Sequence, residues 1–219
     1  MAIKPCVKIE VAVMGPIENN VYIVEGPDAT FVVDPTEQAP YIVELLRERP
    51  CAAIVLTHAH WDHVGAAAEL RAITGAPVIA SAVDAPIIDG SGQLERGHRR
   101  FDPCPVDRRV NDGETVEIGS MKWQAMVTPG HTPGSMCLFL DSAYGTDTDG
   151  VPVLISGDTL FSGAHGRTDF AGGDPMAMRE SLRRLAELPG ETLVLPGHNQ
   201  LTTIELERPW MAGSQPVFR

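Results

Sequence analysis

Basic residues are scarce in this chain. Its 219 residues include 17 Lys and Arg against 29 Asp and Glu, a formal net charge of −12. That balance argues against a nucleic-acid partner, because affinity for nucleic acid rests on cationic side chains neutralising phosphates. It does not bar an anionic substrate, since a metal centre reverses the field locally. Long apolar runs are missing as well. None approaches the roughly 18 residues that a membrane helix needs, so no membrane partner is expected. The opening stretch MAIKPCVKIEVAVMG is broken by Lys4, Pro5, Lys8 and Glu10 and lacks the apolar core of a signal peptide. A cytoplasmic location is the expectation. The four cysteines, Cys6, Cys51, Cys104 and Cys137, form no CxxC pair. Far apart in a reducing compartment, they read as inert small hydrophobes rather than a disulfide framework or a structural zinc site. Histidine is used sparingly too, seven times in all.

What is present describes a globular protein. Hydrophobic residues make up 43% of the chain, and the length predicts one domain spanning 1–219 with a substantial core. Alternating or β-branched runs predict strands at 7–13, 20–26, 30–35, 52–57 and 77–80, with helices at 39–49, 65–74 and 82–88. A Gly-, Pro- and Arg-rich loop follows at 89–107, and a connection that long inside a domain is often functional. Further strands are predicted at 115–118, 121–128, 136–140, 151–156 and 192–198, with a helix at 175–188. Two strand-rich halves, each followed by helices, predict an α+β fold: a sandwich of two sheets with helices outside.

Four predicted strand ends carry the chemistry. They read LTHAHWDH (56–63), VTPGHTPGS (127–135), ISGDTLFSG (155–163) and LVLPGHN (193–199). In each, an apolar strand runs into a turn marked by Gly or Pro and then into a residue of metal-ligand type. Five of the seven histidines, His58, His60, His63, His131 and His198, lie there. In extended backbone, residues two apart project to the same side, so His58 and His60 can grip one metal together. Asp62 and His63 come as the chain bends toward the helix expected at Gly65 and can point elsewhere. Singly, His131 or His198 reads more simply as a capping residue, and Asp158 as a turn residue. Together with HxHxDH they make seven nitrogen and oxygen donors. That is too many for one tetrahedral zinc, but it suits two adjacent ions sharing a carboxylate.

On these motifs the chain resembles the metallo-β-lactamase superfamily, over about 7 to 210. The resemblance implies an αββα sandwich with a two-metal site at the edge of the two sheets. It implies that His58, His60 and His131 hold the first metal, that Asp62, His63 and His198 hold the second, and that Asp158 bridges them. Zinc β-lactamases of the best-known kind have a cysteine where this chain has Asp158, and flavodiiron-type proteins have Glu where it has His60. Asp158 points instead to the thioesterase, lactonase and phosphodiesterase branch. Within it, GDTLFSGAHGRTDFAGGD (157–174) and PGHNQLTTIELER (196–208) resemble the single-domain glyoxalase II-like group. His198 is followed by Asn199 and Gln200 where that group usually shows Gly-Pro. The C-terminal helical domain that grips glutathione in the two-domain enzymes has no counterpart before Arg219.

The resemblance therefore implies a binuclear metal-dependent hydrolase acting on S-lactoylglutathione-like or other small acyl thioesters. Paired metals depress the pKa of a bridging water and supply a hydroxide nucleophile. A thiolate, from a thiol of pKa about 8.5, departs without a proton donor, whereas an amide nitrogen needs one. Asp158 and Asp62 are the catalytic candidates, Asp62 as a proton acceptor. The cofactors expected are two divalent ions, zinc first, with iron and manganese equally served by the donor set. The alternatives are a mononuclear iron persulfide dioxygenase using His58, His131 and Asp158, and a lactone hydrolase.

Other residues carry two readings each. Asp34 either orients a ligand histidine or caps the strand before Pro35. Arg167 and Asp169 read as an internal ion pair bracing the site loop rather than as substrate ligands. Trp61 walls the pocket or packs. ERGHRR (95–100) reads as a solvated loop, with an anion clamp as the sharper alternative. His98 is expected to be exposed, and His165 to lie near the pocket without binding metal.

Overall fold

The computed structural model describes residues 4–93, 99–147 and 149–211. Within them, strands consecutive in the chain build two six-stranded sheets. The first contains β1 (Lys8–Met14), β2 (Asn19–Glu25), β3 (Thr30–Val33), β4 (Cys51–Val55), β5 (Val78–Ser81) and β6 (Arg108–Val110), in that order. The second contains β7 (Thr115–Ile118), β8 (Met121–Val127), β9 (Met136–Leu140), β10 (Val153–Gly157), β11 (Leu193–Pro196) and β12 (Thr202–Thr203). Antiparallel pairing gives way to parallel from β3 through β6, and again between β10 and β11.

Coverage explains the composition of the strands. β3 and β10 are buried throughout and carry no charged residue and no alternation, as strands covered on both faces do. In β8 only one face is fully covered at its start: Met121, Trp123 and Ala125 point inward while Lys122 and Gln124 stay exposed. Between the sheets, Phe31 meets Trp123 edge-on, with ring centroids 5.5 Å apart. Helices α1 (Ala39–Leu46) and α3 (Ala67–Thr74) cover the outer face of the first sheet, packing Ile42, Leu46 and Leu70 with Val32 and Ile54. Helices α5 (Pro175–Ala186) and α6 (Ile204–Met211) cover the second, placing Met178, Leu182, Leu185 and Ile204 with Leu154 and Val194. The architecture is an αββα sandwich. Asp174 starts α5 by accepting from the backbone N–H groups of Met176 and Ala177, with Pro175 at the first position, where no N–H is needed.

The predicted elements differ from the observed ones in a few places. The helix expected at 65–74 is α3, which starts at Ala67, and a separate short helix, α2 (Trp61–Val64), precedes it. The break falls where Ala66 donates its N–H to the Pro35 carbonyl, 2.9 Å away, which takes it out of a helical ladder. Asp62 and His63 thus sit on a helical turn of their own. The helix from residue 39 stops at Leu46 because Arg47 turns left-handed, φ 50°. The strands β6 and β12, three and two residues long, are too short to alternate visibly. Helix α6 was hidden by its internal Pro209. The strand expected at 192–198 ends at Pro196, leaving His198 in the turn. Of the loop at 89–107, residues 94–98 lie outside the described residues, and Cys104 is packed into the outer core of the first sheet. All four cysteines are free thiols that burial pushes up to about 11, which makes them inert. No described helix is long and apolar enough to cross a membrane.

Besides the bonds from Cys6 N–H to Val151 O and from Ser120 N–H to Asp28 Oδ1, the two halves are tied together at a further edge. The Tyr22 hydroxyl donates to the Pro196 carbonyl at 2.7 Å, Asn20 N–H to Gly197 O at 2.8 Å, and Met136 N–H to Thr57 O at 2.9 Å. Away from that edge the sandwich rests on Trp123, whose indole N–H has no hydrogen-bond partner among the described residues. Trp123→Ala is expected to cost about 3–5 kcal/mol in urea unfolding. Trp123→Phe should cost well under half of that, since it gives up no hydrogen bond.

Candidate metal centre

The tied edge is where the seven predicted residues meet. His58 and His60 follow β4, and Asp62 and His63 lie on α2. His131 sits in the turn from β8 to β9, Asp158 just past β10, and His198 just past β11. Two groups form. Donor atoms of His58, His60 and His131 all lie within 4.8 Å of one another, as do those of Asp62, His63 and His198. A third grouping, of Asp34, His58 and His63, is equally tight. Asp158 stands between the first two. Its Oδ2 is 3.4 Å from His131 Nε2 and 3.7 Å from His198 Nε2, and its Oδ1 is 3.3 Å from His63 Nε2.

Backbone geometry makes this convergence possible. His60 is extended, φ −80° and ψ 145°, so its ring lies on the same side as that of His58, with His60 Nδ1 3.1 Å from His58 Nε2. Asp158 is reached through Gly157, at φ 47°, where any Cβ would press on Thr57. At Gly197 a Cβ would collide with the Asp158 carboxylate and the His63 ring. Glycine stands at both positions because the site leaves no room for more.

Hydrogen bonds then fix which nitrogen each ring turns inward. Thr57 Oγ1 donates to Asp34 Oδ2 at 2.6 Å, so it must accept from His58 Nδ1 at 3.0 Å. His63 Nδ1 donates to Asp34 Oδ2 at 2.8 Å, His131 Nδ1 to the Arg167 carbonyl at 2.7 Å, and His198 Nδ1 to the Ile17 carbonyl at 3.1 Å. Four histidines thus engage Nδ1 outward and direct Nε2 toward the cluster, the arrangement by which outer partners orient metal-binding imidazoles. Buried His131 Nε2 and Asp158 Oδ1 have no hydrogen-bond partner among the described residues. Such a gathering of acceptors suits cations, and its donors fit two.

Titration behaviour follows the same neighbours. Burial and the adjoining histidine rings push His58 well below its ordinary value. Burial also opposes charge on His63, but Asp158 and Asp34 outweigh it and raise that ring well above its ordinary value. His198 is raised against burial by Asp62 and Asp158. Burial works against the Asp62 carboxylate too, yet hydrogen bonds with His198, His63 and Asn19 hold it well below the carboxylate range.

Three contributors escaped the sequence reading. Asn19 Nδ2 donates to Asp62 Oδ2 at 2.9 Å and lies 3.4 Å from Nε2 of both His63 and His198. Thr57 relays between Asp34 and His58. Asp84, buried under α4 (Ala85–Ile88), accepts from Ala59 N–H at 2.9 Å and from Thr132 Oγ1 at 2.8 Å, clamping the His58–His60 loop to the His131 turn. Burial raises its pKa against those bonds. The Asn19-Asn20 doublet and an aspartate beside a helix start are too common to mark a site. Asp34 does orient a histidine, at the cost of a left-handed φ of 48°.

A cavity of about 720 Å³ opens over the cluster. Trp61 walls it, and the Arg99 guanidinium stacks 4.2 Å above the Trp61 ring. Arg167 and Asp169 pair through two contacts of 2.8 and 2.6 Å, both exposed, with the guanidinium 4.2 Å over Phe170. His165 lines the cavity, its Nδ1 2.8 Å from Gly166 O. Of ERGHRR, only Arg99 and Arg100 belong to the described residues; His98 and its preceding neighbours lie outside them.

The family model described as "Metallo-beta-lactamase superfamily" matches residues 14–198, and the chain belongs to that superfamily. Among curated relatives, it is 36% identical over 204 residues to "Probable metallo-hydrolase YqgX" of Bacillus subtilis, covering 89% of this chain and 92% of that one. It is 36% identical over 176 residues to a hydroxyacylglutathione hydrolase of Cereibacter sphaeroides, covering 79% of this chain but only 58% of that protein. Among solved structures it resembles the BLEG-1 B3 metallo-β-lactamase (TM-score 0.80, 31% identity, 94% of this chain and all of that one). It also resembles TTHA1623 in a di-iron-bound form (0.75, 35%, 90% and 96%) and ETHE1 from Myxococcus xanthus (0.73, 26%, 95% and 86%). The family and the His/Asp cluster make this a metallo-hydrolase with a site suited to two metal ions.

The Asp84 clamp carries a prediction that needs no metal. Asp84→Ala strands the Ala59 N–H and leaves the Thr132 hydroxyl with Ser135 alone, and should lower the stability of metal-stripped protein by about 1–3 kcal/mol in urea unfolding.

Proposed function

We propose that the chain is a binuclear metal-dependent thioesterase acting on S-lactoylglutathione-like or other small acyl thioesters. In this reading His58, His60 and His131 hold one divalent ion, Asp62, His63 and His198 hold the other, and Asp158 bridges them. One observation carries it: four histidines engage Nδ1 with oxygens of the chain and present Nε2 to two nests that flank the Asp158 carboxylate. Two ions held there would activate a water near neutral pH and polarise a carbonyl. Zinc is the proposed metal, and the donors serve iron and manganese as well.

The residues of the chain do the rest. Asp34 and the Arg167 and Ile17 carbonyls hold the rings in place, so no reorganisation is needed when substrate arrives. In this reading Asp62 would keep its charge at the second metal position, with proton acceptance a secondary role. A thiolate leaving group suits this site, because it departs without an acid. The hydroxyacylglutathione hydrolase relative supports thioester chemistry; the chain spans 58% of that protein, so glutathione as the thiol handle rests on the proposal alone.

The test pairs metal content, by mass spectrometry on protein purified without added metal, with thiol release from S-lactoylglutathione and S-acetylglutathione. About two metals per chain with thiol release is the expected result. About one iron, no thiol release and oxygen uptake with a persulfide overturns the reading. Asp34→Ala frees His63 from its partner, and should weaken metal binding 10- to 100-fold in a chelator competition.

A further inference from the structure

A second, smaller cavity of about 170 Å³ opens beside the metal cluster. Val83, Ile87, Pro133 and Ala171 wall it over a floor of Ala59 and His60. His60 and Ala171 also line the large cavity, so the two meet at the His60 ring. Besides His60, the polar side chains that reach the small cavity are Gln93, Asp84 and Thr132, and the last two are already engaged. Asp84 Oδ2 accepts from Thr132 Oγ1 and Ala59 N–H, and its carboxyl also bonds the Gly134 backbone. The surface left to a ligand is mainly hydrocarbon.

The large lobe is different in kind. It carries the Arg99 guanidinium stacked on Trp61, and the Arg167–Asp169 ion pair beside the Phe170 ring. A thioester whose carbonyl sits over the metal cluster sends its two ends in opposite directions. A carrier thiol bearing carboxylates or phosphates fits the large lobe, by size and by charge. The other end must then point past His60.

We infer that the small cavity is an acyl subsite, which makes the substrate a thioester with a short, unsubstituted aliphatic acyl group on an anionic carrier thiol. This rests on the thioesterase reading and narrows it. An apolar cavity of 150 Å³ accommodates benzene, so this one takes a chain of about four to six carbons. A hydroxyl on the acyl group finds Asp84 and Thr132 bonded to each other. Butanoyl thioesters should therefore be preferred over lactoyl ones on the same thiol.

Two measurements on the whole metal-loaded protein test this. One is kcat/KM for acetyl, butanoyl, hexanoyl and decanoyl thioesters of glutathione. The other is calorimetric binding of the matching carboxylates, which needs no turnover. Both should rise about three- to fourfold per methylene up to about six carbons and then level off. Val83 is half exposed at the mouth, so Val83→Trp blocks the cavity without entering the core. In that variant hexanoate should bind no more tightly than acetate. Thioester hydrolysis with no dependence on chain length overturns the acyl subsite and leaves the thioesterase standing. Carboxylate binding that rises with length and collapses in Val83→Trp, with no thioester hydrolysed, overturns the reaction and keeps the subsite.

Discussion

The site depends on a tautomer constraint. A neutral imidazole has one N–H and one lone pair, and whichever nitrogen meets an acceptor outside must present its lone pair inside. Here the acceptors are a carboxylate (Asp34), a hydroxyl already committed as donor (Thr57) and two backbone carbonyls (Arg167 and Ile17). Three rings find their partner within their own half of the sandwich, and only His198, bonded to the Ile17 carbonyl, draws it from the other. Docking of the two sheets therefore orients His198, while the other three rings are set by their own halves.

A cluster of buried carboxylates in an acidic protein needs explaining. Asp34, Asp62, Asp84 and Asp158 are each at most 8% exposed, and burying unpaired charge is costly. Each is met differently. Asp34 receives Thr57 and His63, Asp62 receives Asn19, and Asp84 receives two loops. Asp158 keeps one oxygen without a hydrogen bond. Three of the four are satisfied by the fold, and Asp158, at the centre, is left for a cation.

Much of this was legible in the sequence, for identifiable reasons. Metal-type residues at the ends of apolar strands announce themselves, because hydrophobic periodicity stops abruptly at a Gly or Pro and a rare residue follows. All seven came together. Long or strongly apolar strands were located to within about two residues, as at β7 and β9. What stayed hidden is what owes its form to contacts distant in the chain. The break between α2 and α3 is made by Pro35, some 30 residues earlier, and nothing local marks Asn19 or Asp84 apart from other turn residues. The strands β6 and β12 exist because a neighbouring strand offers them an edge, and their own sequences carry too few residues to show a period.

The order of the strands has a further consequence. Each sheet is assembled from neighbours in the chain, so its pairings need nothing from the other half and can form independently of it. The metal cluster is the opposite. His58, His60, Asp62 and His63 belong to the first half, and His131, Asp158 and His198 to the second, so neither nest nor bridge exists until the two sheets have docked along the Tyr22–Pro196 edge. Ions that bind only the docked form act as clasps on a nearly finished molecule, slowing its opening far more than they speed its assembly.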